Sequence, residues 1–282
     1  MAYPTVSAPY GLEPVNLIGG QQFAGQTREI PIASAYGTDL LNGDVVKLTT
    51  DGTIVKDTGT TTATPIGVFL GCSYTNPSTK QKLFAQYWPA GTVASDAVAY
   101  VQDDPDLLSK AVAVSGTTVV TYAGQAMVGL NAALVQNTGS TTTGDSAVAV
   151  GSFATTASLP VRVVAIVPDS AVTTTAVGST SGSSTAVTLT AANTSIKKYM
   201  DVSGTGVSAG TYVSAISGTS LTLSAAANLT AITLTFYGSP EVIVKWNEPY
   251  AVSTTTAAGS PLAYTTTTVV TGGHQYRNPV GV

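Results

Sequence analysis

Charge is what this chain has least of. Only 9% of its 282 residues are Asp, Glu, Lys or Arg, against about a quarter in ordinary soluble domains. Its 11 Lys+Arg do not outnumber its 15 Asp+Glu. There is no cationic excess to displace counterions from phosphates, which excludes nucleic acid as a partner. The single cysteine, Cys72, excludes an intrachain disulfide framework, and the single histidine, His274, excludes a multi-histidine metal site. No apolar run reaches the roughly eighteen residues of a membrane helix, so no membrane partner is expected. The segment Met1–Ser7 has neither the basic start nor the apolar stretch of a secretory signal. Synthesis and folding in a cytoplasm are therefore expected. Asn193-Thr194-Ser195 and Asn228-Leu229-Thr230 match the glycosylation pattern, but without a secretion signal they carry no weight.

What is abundant points one way. Hydrophobic residues reach 44%, Gly supplies 28 positions, and Thr accounts for about one residue in six. That hydrophobicity with so little net charge excludes disorder of the whole chain. β-Branched side chains suit a pleated surface, and Gly and Ser punctuate turns. Asp44–Leu48 and Thr53–Lys56 flank Asp51-Gly52, a strong hairpin signal. Ile66–Cys72 and Leu83–Trp88 flank Asn76–Lys80, where Pro77 breaks any ladder. Further strands are expected at 97–101, 110–114, 117–122, 127–135 and 147–150. Leu107–Ala113 is the one stretch where a short helix is allowed. Many short strands between turns predict an all-β fold of the barrel or sandwich type.

The texture changes near residue 171. Residues 171–238 hold three formal charges, Lys197, Lys198 and Asp201. Thr173–Thr175 through Gly178–Gly182 reads as a loop, with strands to follow at 186–190, 200–203, 212–216, 220–223 and 232–236. On either side stand Leu159–Pro168 and Ser239–Trp246, two alternating strands bracketed by proline. They read as antiparallel neighbours with a small β-sandwich-like module inserted at their loop, where insertion is best tolerated. The expected organisation is an extended N-terminal arm over 1–38, a β-barrel or sandwich over 39–170 plus 239–282, and an inserted module over 171–238. Pro4, Pro9, Pro14 and Pro31, with aromatics between them, are the reason for the arm.

Candidate chemistry is thin. Cys72 lies within a strand with no nearby base to activate it, so it reads as packing. Asp103-Asp104-Pro105-Asp106 lacks the glycine and distal glutamate of a calcium loop and reads as a turn. Glu13 and Glu29 are not placed across a cleft by any pattern, as glycoside hydrolysis would require. No glycine-rich stretch forms a phosphate-binding fingerprint. No catalytic residue, metal site or cofactor is expected. The 13 Tyr outnumber the 5 Phe, and amphipathic rings suit protein contacts. The contact residues expected are Tyr3, Tyr10, Leu12, Tyr36, Tyr264, His274 and Tyr276.

Ser7-Ala8-Pro9-Tyr10-Gly11-Leu12-Glu13-Pro14-Val15, then Gly19-Gly20 and Asn42–Leu48, resembles the head decoration (cement) proteins of tailed bacteriophages. The likeness continues through Ile66–Cys72, Gln86–Gly91, Pro160–Val167 and Glu241–Lys245. Met200–Val207 with Gly210-Thr211 and Val213-Ser214 resembles small β modules of phage structural proteins. The resemblance implies a non-enzymatic virion protein, made in the bacterial host, that binds the outside of the capsid and stabilises it. Its partners would be the major capsid protein and neighbouring copies of itself, as trimers by analogy. The competing readings are a tail or fibre component whose module meets a host glycan and, more remotely, a polysaccharide-acting enzyme.

Overall fold

The computed structural model describes residues 6–18, 27–247, 251–255, 265–269 and 274–275. Its strands run in chain order from β1 (Glu13–Leu17), β2 (Arg28–Pro31), β3 (Val45–Leu48) and β4 (Ile54–Lys56). Next come β5 (Gly67–Thr75), β6 (Lys82–Ala85), β7 (Val98–Gln102), β8 (Leu107–Val114), β9 (Asn131–Val135), β10 (Ala149–Ala154) and β11 (Val161–Ile166). The insertion carries β12 (Val172–Ser179), β13 (Ser183–Leu189), β14 (Asp201–Ser203), β15 (Val213–Ser217), β16 (Ser220–Asn228) and β17 (Ile232–Gly238). The chain returns through β18 (Glu241–Trp246), β19 (Ala251–Thr255) and β20 (Thr265–Val269). The protein is all-β: its helical turns among the described residues are short 3-10 turns, among them Gln125–Met127 and Pro168–Ser170. No helix among them is long and apolar enough to cross a membrane.

One sheet of the body closes on itself in the order β8-β10-β9-β11-β18, with β18 returning to β8. β8 is its hub. It pairs with β18 from Glu241↔Val112 to Lys245↔Leu108, with β10 in parallel at Val150↔Ala113, and with β1 at Glu13↔Lys110. The short helix allowed at Leu107–Ala113 is therefore replaced by the most heavily paired strand of the barrel. Helix propensity loses here to the burial of apolar side chains, since Leu107, Ala111, Val112, Ala113 and Val114 are all buried. Val161, Val163, Val242, Val244 and Trp246 meet Leu134 and Met127 in the barrel core.

The other body sheet runs β2-β7-β5-β3-β4, with β6 on β5. A parallel bridge, Ile32↔Ile54, draws its two ends together. The hairpin signal at Asp51-Gly52 is realised as the β3–β4 turn, where Gly52 has φ of 73°. Phe69, Trp88, Ile54 and Ile66 fill this second core, and Tyr74 meets Trp88 edge-on at 5.2 Å. The stretch read as one barrel or sandwich thus holds two large cores, which meet where Val45, Ala63 and Val68 join the first, and a small third cluster of Val112, Val114 and Ala149.

The expected arm is drawn into both. β1 pairs with β8 and β2 with β7. Pro14 is tolerated in β1 because that strand lies at the end of its sheet. Residues 1–5 and 19–26 lie outside the described residues.

The insertion forms its own six-stranded sheet, β14-β17-β12-β13-β16-β15, around Phe236, Leu234, Met200, Leu221 and Val213. The tract read as a loop at Thr173–Gly182 is largely β12, zipped to β17 from Val172↔Gly238 to Gly178↔Ile232. Its threonines are β-branched and accept the strand, and the run of hydroxyls hid the alternation that marks one. The stretch 117–122, read as a strand, is a bend with one isolated bridge, Val114↔Val120.

Candidate functional site

The expected contact residues fall into three groups. Tyr3, Tyr264 and Tyr276 lie outside the described residues. Leu12 and His274 are buried, at 2% and 0% exposure, so they are not surface contacts. Leu12 fills the barrel core, and its N–H donates to the Gly43 carbonyl. Gly11, at φ of 93°, makes that approach possible, because a Cβ there would sit 2.9 Å from Gly43 backbone. The His274 N–H donates to the Asn247 carbonyl, and Gln275 beside it grips the Leu48 backbone, accepting its N–H at 2.7 Å. This pair fastens the chain after β20 to Asn247, just past β18, and to Leu48 at the end of β3. Nothing in the sequence marked Gln275 for that role.

Tyr10 and Tyr36 are half-buried brackets. The Tyr36 hydroxyl accepts the Lys56 N–H at 2.9 Å. The Tyr10 hydroxyl donates to Glu241 Oε1 at 2.5 Å. Lys110 Nζ stands 2.9 Å from Glu13 and 3.6 Å from Glu241, and 5.5 Å from the Tyr10 ring centre. Burial, then the bond to Glu241 and its charge, hold the Tyr10 phenol well above its ordinary pKa. Burial works against the charge on Lys110, but Glu13 and Glu241 outweigh it and raise its pKa. The cluster clips residues 10–13 to β8 and β18.

The remaining candidates are engaged structurally. Cys72 is buried, its thiol faces the Tyr87 carbonyl at 3.4 Å, and burial pushes its pKa up to about 12. A thiol so held is a poor nucleophile. The aspartate run points three ways. Asp103 meets Arg28 at 3.3 Å, Asp104 accepts the Asp106 N–H, and Asp106 meets Lys245 at 3.2 Å. No group of His, Cys, Asp or Glu is placed to hold a metal among the described residues. Glu13 and Glu29 sit on strands of different sheets.

The most elaborate constellation is one the sequence did not announce: the joint between body and module. Ala123 and Ser239 bridge, with N–H···O distances of 2.7 and 2.9 Å in the two directions. Thr121 Oγ1 donates to the Lys198 carbonyl at 2.6 Å, and the Gly124 N–H donates to the Tyr199 carbonyl at 3.0 Å. Asp201 Oδ2 accepts the N–H of Gln125 at 2.6 Å, where a 3-10 turn of the body begins. The carboxylate lies so close that a Cβ on Gly124 would fall 2.2 Å from Asp201 Oδ1. Phe153 of the body packs edge-on against Tyr199 at 5.2 Å. Two open clefts of about 490 and 410 Å³ border the joint. The signal available beforehand was the cluster Lys197-Lys198-Tyr199-Met200-Asp201, which gathers every charge of the module.

Comparison of the chain with protein-family models, with curated proteins and with solved structures found no match.

Proposed function

We propose that this is a virion structural protein of a tailed bacteriophage, a decoration or cement protein that binds the outer surface of the head and stabilises it. The observation that carries this reading is that the body is complete around the insertion. β11 and β18 pair from Val161↔Trp246 to Ile166↔Val242, so the barrel closes without any strand of the module. Such a plan divides labour: the body binds, and the module stands off it as a spur held by the joint.

Contact surface is available on the body. β1 and β6 are edge strands, and Phe84 on β6 is 77% exposed. Ile18 just beyond β1 and Val93 are also exposed. Apolar side chains on a surface with few charges bind without a large desolvation cost. The partners in this reading are the major capsid protein and neighbouring copies, as trimers, and the role is non-catalytic.

Quantitative mass spectrometry of purified virions tests it. Decoration requires hundreds of copies per particle. A few copies would replace it with the tail or fibre role.

A further inference from the structure

The fold leaves one edge of β6 open. Among the described residues β6 pairs with β5 alone. The hairpin that joins the two strands fixes which backbone groups of β6 are used. The Asn76 N–H donates to the Gln81 carbonyl at 2.9 Å, which makes these two residues a hydrogen-bonded pair. Such pairs alternate along an antiparallel ladder. In the register from Thr75↔Lys82 to Cys72↔Ala85, the residues bonded to β5 are therefore Leu83 and Ala85. The N–H and C=O groups of Lys82 and Phe84 point the other way. Thr75 agrees with this alternation, since its N–H turns from β6 and donates to Asp96 at 3.0 Å. No other backbone group among the described residues bonds to those of Lys82 or Phe84.

Folded sheets protect open edges with proline, bulges or charge. β1, another edge of the body, has Pro14, a register shift beside it and the charge of Glu13. β6 has neither proline nor bulge. Its one charge, Lys82, is matched by Asp96, whose Oδ2 lies 2.9 Å from Nζ. Beside the free backbone groups stands Phe84, 77% exposed. Leu83, half-buried, points to the opposite face and packs at the rim of the second core.

We propose that β6 joins two copies of this chain, each β6 pairing antiparallel with the other about a two-fold axis through Leu83. An open edge gains hydrogen bonds from an added strand, and β6 is complementary to itself. With the axis at Leu83, Lys82 of each copy exchanges its free N–H and C=O with Phe84 of the other. Side chains directly opposite share a face. Each Lys82 therefore lies beside a Phe84 ring, and the two Leu83 side chains meet on the other face. An axis at Lys82 would oppose two ammonium groups, which is unfavourable. An axis at Phe84 would need Gln86, which lies beyond the end of β6 and donates to Asp145 at 2.6 Å. A contact of this size gives weak, reversible association. Being two-fold, it is separate from any threefold contact, and it does not rest on binding to a head.

The test uses the free full-length chain, with sedimentation velocity and NMR amide exchange followed up to about 1 mM protein. A reversible dimer is expected. Exchange at Lys82 and Phe84 should slow about tenfold as it forms, while Leu83 and Ala85 are slow throughout. Phe84→Pro should keep the fold, because the Phe84 N–H bonds nothing within the described chain, and should abolish association. Cysteine crosslinking gives a reading that does not depend on that variant. Leu83→Cys sits on the axis in a non-hydrogen-bonded pair, with Cα atoms about 4.5 Å apart, and diamide should link it into a dimer. Phe84→Cys is offset from its own copy beyond disulfide reach and should not link. Cys72 is buried and does not compete. The proposal is overturned if the chain stays monomeric, or if exchange at Lys82 and Phe84 does not change with concentration. Association unchanged by Phe84→Pro, or crosslinking of Phe84→Cys as efficient as that of Leu83→Cys, overturns it too.

Discussion

The body and the module solve the same problem, a charge-poor all-β core, by different means. The body ties distant segments together with a few buried polar networks. Asp44, fully buried, accepts from Lys56 Nζ at 2.9 Å, from Ser146 Oγ at 2.7 Å and from the Leu41 N–H at 2.9 Å. Asp57 does the same for the N–H groups of Gly59 and Thr64. The module makes no ion pair of its own among the described residues, and its polar bonds are those of hydroxyls and amides. Its stability comes from Phe236, Leu234, Met200 and their neighbours. The difference teaches where each half is vulnerable. Removing one partner from a buried network leaves a charge stranded, whereas trimming an apolar core leaves a cavity.

The sharpest way to break this comparison is a pair of substitutions read by calorimetry and hydrogen exchange. Asp44→Ala strands the Lys56 ammonium, whose side chain is 14% exposed, and is expected to cost the body about 3–5 kcal/mol. Phe236→Ala is expected to cost the module a similar amount, about 3–5 kcal/mol. Exchange protection in each case should fall in the mutated half alone. Equal loss in both halves would mean that they unfold as one unit.

A smaller effect separates the halves by pH. Tyr10 and Lys110 both have raised pKa values in the folded body. Each therefore keeps its proton where the unfolded chain loses it. Their contribution is complete below the ordinary values of 10.0 and 10.5 and is lost as pH rises beyond them. Melting of the body, followed from about pH 8 to about pH 11, should fall across that window. Glu241→Gln should make the fall shallower.

Smaller again is the joint. Asp201→Ala removes one charge-assisted bond to Gln125 in a partly exposed position, at a cost of about 1 kcal/mol. Exchange at 122–125 and 198–201 should quicken while both cores stay protected. The smallest expected effect is at Cys72, where buried, proton-bearing sulfur should resist a thiol reagent until the body unfolds.

Local chemistry made much of this legible. The turn at Gly52, the apolar run of β5 and the proline-bracketed partners β11 and β18 all follow from residues that admit one conformation. The scarcity of charge over 171–238 marks the insertion almost to the residue, since β12 starts at Val172 and β17 ends at Gly238. What could not be read depends on tertiary choice. The unbroken apolar run of β5 points to burial of both its faces, but not to Val68 and Phe69 serving two different cores. Proline spacing suggested an arm, yet it cannot show that the edge of β8 is open to receive Glu13–Leu17. The joint was hidden because Gly124, Asp201 and Tyr199 look ordinary until the fold brings them together.

The central claim is that a complete body binds the head and carries the module as an addition. Replacing residues 171–238 by a short Gly-Ser turn between β11 and β18, then measuring occupancy on expanded heads stripped of the native protein, tests it directly. The account predicts that the shortened chain keeps the melting transition of the body and fills the heads to the same occupancy. Loss of the body's fold, or a folded chain that no longer binds heads, would contradict it.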